Sequence, residues 1–70
     1  MTIRQLLESG IEITGNVTIK KWIDEAETYK VLHSTTIFEQ KPFGDFLDMR
    51  IKYMYSIEEN GQGWLIIEVE

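Results

Sequence analysis

The stretch from Leu47 to Glu70 sets the tightest limit on what this chain can fold into. Between Leu47 and Ile57 every odd position is apolar or aromatic: Leu47, Met49, Ile51, Tyr53, Tyr55 and Ile57. The even positions, Asp48, Arg50, Lys52, Met54, Ser56 and Glu58, are polar apart from Met54. Alternation of this length marks a half-buried β-strand, because successive side chains leave a strand on opposite faces. A second strand follows from Trp64 to Glu70, with Leu65, Ile67 and Val69 on one face. The segment between them, Glu58-Glu59-Asn60-Gly61-Gln62-Gly63, is turn chemistry, so the two strands read as an antiparallel hairpin.

The register of that hairpin can be argued from burial. A two-residue Asn60-Gly61 turn suits the type I′ geometry, but it sets Tyr55 opposite Ile66 and Ile57 opposite Trp64. Leu65, Ile67 and Val69 then face away from the Tyr/Ile stripe. A loop with an odd number of residues pairs Ile57 with Leu65, Tyr55 with Ile67 and Tyr53 with Val69, joining both stripes on one face. A slip of one residue turns every side chain over, so burial favours the odd loop, with Gly61 or Gly63 taking the left-handed position.

Upstream, Thr2 to Ser9 reads as a short helix, with Thr2 and Gln5 spaced as a capping box and Gly10 placed to end it. Ile3, Leu6 and Leu7 share one face. Two turns do not persist alone in water, so the helix docks, either as a lid on the core or against a partner. Ile11 to Asp24 alternates as a second strand, with Ile11, Ile13, Val17 and Ile19 on one face. Its phase slips at Lys20-Lys21, where Trp22 comes one place late; a bulge explains this, as does passage between two sheets. A polar turn at Asp24–Thr28 leads into a third strand, Tyr29–Phe38, of poorer alternation. The connection Glu39–Asp48 carries Pro42, Phe43 and Phe46, with the two phenylalanines expected to plug the core.

The expected fold is therefore α+β and mainly β: a short N-terminal helix followed by a four-stranded antiparallel sheet, curled into a partly open SH3-like small barrel. Seventy residues make a single domain, 1–70, with a marginal core. Cysteine is absent, which removes disulfides, thiolate zinc sites and thiol nucleophiles, and favours a reducing, cytoplasmic setting. No apolar run reaches membrane-spanning length and no signal-peptide pattern stands at the N-terminus, so no membrane partner is expected. The net charge of −5 argues against direct nucleic-acid binding, which Lys and Arg drive by neutralising phosphate.

Chemistry is sparse. His33 is the only histidine, and its Thr/Ser-rich strand supplies neither a nucleophile nor an orienting partner, so it reads as an ordinary strand residue. Gly61-Gln62-Gly63 lies in a hairpin rather than between strand and helix, which speaks against a phosphate cradle. Ligand spacing for zinc or calcium is missing. The expectation is no catalytic residues, no cofactor and no metal. Two surface features rise above this background. On the outer face of the C-terminal hairpin, the odd-loop register collects Trp64, Ile66 and Met54 into an apolar island among Arg50, Lys52, Glu58, Glu68 and Glu70. That island is either covered by the helix or the Phe43/Phe46 loop, or exposed as a binding surface. The second feature is acidity at the turns, from Asp24, Glu25 and Glu27 to Glu58 and Glu59.

The opening Thr2-Ile3-Arg4-Gln5-Leu6-Leu7-Glu8-Ser9-Gly10-Ile11-Glu12-Ile13, with Met49-Arg50-Ile51-Lys52-Tyr53-Met54-Tyr55 and Leu65-Ile66-Ile67-Glu68-Val69-Glu70, resembles small proteins of phages and mobile elements in anaerobic Gram-positive bacteria. The resemblance carries no active-site motif. It implies an inhibitor that binds a host defence protein, as anti-CRISPR proteins do. The leading expectation is a non-catalytic module that occludes a larger protein with a basic, partly apolar surface. Its contacts would be Trp64, Ile66 and Met54 as anchors, ringed by Glu58, Glu59, Glu68 and Glu70. Two alternatives stand beside it: a barrel binding single-stranded nucleic acid or a small ligand on Trp22, Tyr29, Tyr53 and Tyr55, and a homodimeric or larger structural assembly.

Overall fold

The computed structural model describes residues 1–10, 15–35 and 45–70. It runs α1 (Ile3–Glu8), β1 (Asn16–Ile23), β2 (Thr28–Thr35), β3 (Ile51–Glu59) and β4 (Gln62–Val69). The expected order of one helix and four strands is present. The strand positions Ile11 and Ile13, the end of the third strand at Ile37 and Phe38, and Pro42 and Phe43 of the connection lie outside the described residues.

Helix α1 is held at its N-terminus by a complete set of acceptors. Thr2 Oγ1 accepts the Gln5 N–H at 3.2 Å, and Gln5 Oε1 accepts the Thr2 N–H at 2.9 Å, forming the capping box. Two further donors leave the helix altogether: Ile3 N–H reaches the Met49 carbonyl at 3.1 Å and Arg4 N–H the Leu47 carbonyl at 2.9 Å. Backbone groups that a six-residue helix would otherwise give to water are thus spent on docking. Ile3 and Leu6 are buried and Leu7 half-buried, while Arg4 and Glu8 are exposed. The helix is a lid.

The sheet order is β2-β1-β4-β3. Both hairpins are antiparallel, but β1 and β4 run parallel in the centre, from Asn16 beside Trp64 to Lys21 beside Val69. The sheet is therefore mixed, not antiparallel throughout as the sequence suggested, and it is not closed, since β2 and β3 remain its edges. The central places go to the strands with the strongest aliphatic sets, Val17 and Ile19 on β1 and Leu65, Ile67 and Val69 on β4. A central strand is covered on both flanks, whereas an edge strand is not.

The odd-loop register does not hold. Glu59 pairs with Gln62, Ile57 with Trp64, Tyr55 with Ile66 and Met54 with Ile67, so the turn is the two-residue Asn60-Gly61. Both turn residues have positive φ, +53° at Asn60 and +76° at Gly61, as a type I′ turn requires. The apolar stripe from Leu47 to Ile57 does not stay on one face of the sheet. The register shifts between Ile51 and Tyr53, leaving Lys52 as an extra residue. That bulge turns the strand over: Ile51 pairs with Val69 and packs against the core, while Tyr53, Tyr55 and Ile57 point to the other face.

A second register shift falls between Ile19 and Lys20, where β2 carries the extra residue, Leu32. It replaces the bulge expected at Lys20-Lys21. On β1 the alternation simply continues, and the displaced Trp22 belongs to the face opposite Val17 and Ile19, paired with Tyr29.

The core lies between α1 and one face of the sheet. Ile3, Leu6, Val17, Ile19, Ile67 and Val69 form it, with Leu32, Phe46, Leu47, Met49, Ile51 and Leu65 packed around them. Phe46 plugs the core as expected, from a single helical turn at 45–46. His33 faces the same side, its ring centroid 6.2 Å from that of Phe46.

Candidate functional site

With the core on one face of the sheet, two apolar sets remain on the other. The register places them in rows that cross the strands. One row runs Ser34, Thr18, Ile66, Tyr55; the next runs Val31, Lys20, Glu68, Tyr53. Trp64 and Ile57 form a pair beyond the first row, and Trp22 and Tyr29 a pair beyond the second. Ile66 is 5% exposed and Glu68 4%, because both stand on a central strand with neighbours on each side. Around them Tyr29, Val31, Tyr53, Tyr55 and Ile57 are exposed, Tyr53 by 57%.

This face is concave. Val31 on one edge strand and Ile57 on the other line a single depression of about 310 Å³, floored by Thr18, Ile66 and Trp64 and rimmed by Glu59. Lys20 reaches aromatic rings from both edges across this face. Its ammonium lies 4.0 Å from the Tyr29 ring centroid and 5.4 Å from that of Tyr55. Those rings come from opposite edges, about 14 Å apart in a flat four-stranded sheet. Both tyrosine side chains therefore lean inward over the central strands toward one ammonium.

The electrostatics are local and opposed. Glu68 sits beside Lys20 in the β1–β4 register. The Tyr29 hydroxyl is pushed above its ordinary value, first by loss of hydration, then by the charge of Glu68; Lys20 pulls the other way. Trp22 packs edge-on to Tyr29 at 5.0 Å between centroids and donates its indole N–H to Asp24 at 2.7 Å, which fixes that end of the aromatic row.

The residues proposed from sequence divide between the faces. Trp64, Ile66, Glu59 and Glu68 share the concave face. Met54 does not: it pairs with Ile67 and belongs to the α1 side, so the Trp64/Ile66/Met54 island is broken up. Glu58, opposite Gly63, is on the Met54 side, and Ser56 pairs with Leu65 rather than Ile66. Glu70 follows β4 with its carboxylate 3.9 Å from Arg50, an exposed pair of little energetic weight. Glu68 was expected on a rim and is instead buried at the centre. The alternation sent Tyr53, Tyr55 and Ile57 inward, so the two tyrosines entered only the stacking alternative, and Lys20 was not among the expected site residues. Taking Asn60-Gly61 at face value as a two-residue turn would have found the first three.

Among the described residues no group of three His, Asp or Glu is placed to hold a metal ion, and no helix is long and apolar enough to cross a membrane. No family model, curated protein or solved structure matches this chain.

Proposed function

We propose that the protein is a cytoplasmic, non-catalytic binding module that occludes part of a larger protein with the concave face of its sheet. One observation carries this reading: the sheet has two apolar faces, and α1 packs against only one of them. The other presents Trp64, Tyr53, Tyr55 and Ile57 around Ile66. Aromatic side chains of this kind carry most of the energy where proteins meet, and an exposed apolar patch of this sort marks an interaction surface. In this reading the curled sheet acts as a partly open, SH3-like barrel that offers its inner wall. The resemblance to phage proteins makes a host defence protein the first partner class to test.

The nucleic-acid alternative gains one observation, since Tyr53 and Tyr55 do face outward with Trp22 and Tyr29. Against it stand Glu68 at the centre of that face and Glu59 at its rim, which repel phosphate. The net charge of −5 acts in the same direction.

The test uses three variants of the folded protein as baits on host lysate, followed by affinity measurement on whatever each captures. Tyr53→Ala and Trp64→Ala alter the concave face, and Met54→Ala the opposite one. A partner retained by Met54→Ala and lost by the other two supports the reading. Equal capture by all three variants removes the concave face as the interface.

A further inference from the structure

Lys20, Tyr29, Tyr55 and Glu68 share the concave face as a cluster that the core does not require. An ammonium lies against two tyrosine rings from opposite edges of the sheet, at 4.0 and 5.4 Å from their centroids. Next to Lys20 in the strand register is Glu68, a carboxylate with 4% exposure on a strand otherwise aliphatic from Leu65 to Val69. Ring faces carry negative potential and attract alkylammonium ions, most strongly where water is excluded. A buried carboxylate strengthens the same preference, because its field is poorly screened. We infer that these residues form a cage for an alkylammonium group, filled in the free protein by Lys20 and taken over by a lysine side chain of the partner when the concave face is covered.

Lys20 is suited to being an exchangeable occupant. It is half-buried, and its flexible four-carbon stem can carry the ammonium out to water with no change in the backbone. The cage sits in the same wall as Ile66 and the Trp64–Ile57 pair, so a partner docked on those anchors brings its own side chains to this point. The excess of negative charge over the molecule steers a basic surface toward it. The inference rests on the proposed docking face only for the source of the ammonium. The cage itself can be tested without any partner.

The experiment is an NMR titration of the Tyr29 and Tyr55 ring signals with tetramethylammonium chloride, against sodium chloride at equal ionic strength. It compares the wild type with Lys20→Thr, which keeps strand propensity and vacates the cage. The expected result is saturable binding to Lys20→Thr, at least ten-fold tighter than to wild type, because the resident ammonium no longer competes. In the Lys20→Thr background, Tyr55→Phe should keep this binding and Tyr55→Leu should reduce it at least five-fold. A second arm titrates the capped tripeptide Ala-Lys-Ala, which should compete with tetramethylammonium. No saturable ring shift in a Lys20→Thr protein whose circular dichroism matches wild type overturns the cage. Equal affinity in wild type and Lys20→Thr overturns Lys20 as its occupant. Binding of tetramethylammonium without the lysine peptide overturns the partner's lysine as the ligand. None of these results depends on the lysate capture, which judges the docking face alone.

Discussion

Tyr55 and Ile66 stand directly opposite each other across the β3–β4 hairpin, on the face of the sheet turned away from α1. Ile66 is buried there while Tyr55 keeps more than a third of its surface in water. The pair shows how the face is built. A central strand supplies an aliphatic floor, and the edge strands lean their aromatics over it. A surface made this way is already apolar and partly desolvated before any partner arrives, which lowers the desolvation cost of docking.

The binding energy should concentrate on this face. Trp64→Ala is expected to weaken the complex by about 2 kcal/mol or more, and Met54→Ala to leave it nearly unchanged. Surface plasmon resonance with the captured partner separates the two, and the loss should show in the dissociation rate. Comparable losses in both variants would place the interface elsewhere.

Stability should divide by face in the opposite sense. Ile67→Ala removes a fully buried side chain from between α1 and the sheet, and should cost about 2–5 kcal/mol. Tyr53→Ala, at an exposed edge, should cost less than about 1 kcal/mol. Urea denaturation of both variants checks the ordering.

The hairpin turn is expected to be sensitive to a single methyl group. Gly61 has φ +76° and open space around it, so Gly61→Ala meets no clash and suffers only the left-handed backbone cost. That cost is about 1–2 kcal/mol. A neutral result by thermal or urea unfolding would mean that the turn differs from the two-residue form.

At α1, Thr2→Ala deletes the acceptor for the Gln5 N–H and should cost about 1 kcal/mol. Hydrogen exchange gives the sharper reading. The amides of Ile3 and Arg4, bonded to Met49 and Leu47, should exchange slowly in the wild type, as those of a docked helix do. Rapid exchange at both would show that the lid is open.

Alkaline titration tests the charge arrangement of the concave face. Tyr29 has its hydroxyl raised above its ordinary value of 10.0, first by loss of hydration and then by Glu68 on β4, with Lys20 on β1 opposing and Tyr55 on β3 adding a smaller upward push. A group raised in the folded state stabilises fully below its unfolded value and loses that contribution as pH rises through the folded one. Stability should therefore fall as pH climbs past 10, and Tyr29→Phe should remove part of the decline. Ultraviolet difference titration of wild type and Tyr29→Phe reads the phenol directly. A slope unchanged by the substitution would remove Tyr29 as its source.

Local chemistry determined a good deal of this protein by itself. The capping box at Thr2 and Gln5, the stop at Gly10, the burial of Ile3 and Leu6, the strand character of β1, β3 and β4, and the turn at Asn60-Gly61 are each written in a few neighbouring residues. Neighbouring residues could not decide which face each stripe would bury. The alternation from Leu47 to Ile57 is unbroken in sequence, yet the bulge at Lys52 sends its first half to the core and its second half to the open face. The sequence carries no local mark of that bulge, because it reconciles two distant demands: the type I′ turn at one end of β3 and the docking of Leu47 and Met49 on α1 at the other. The parallel pairing of β1 with β4 is of the same kind, a contact between the two ends of the chain. So is the closing of Tyr29 and Tyr55 upon Lys20, which needs all four strands side by side in the order β2-β1-β4-β3. Tertiary structure decided these, since each depends on backbone groups and side chains brought together only when the whole sheet forms.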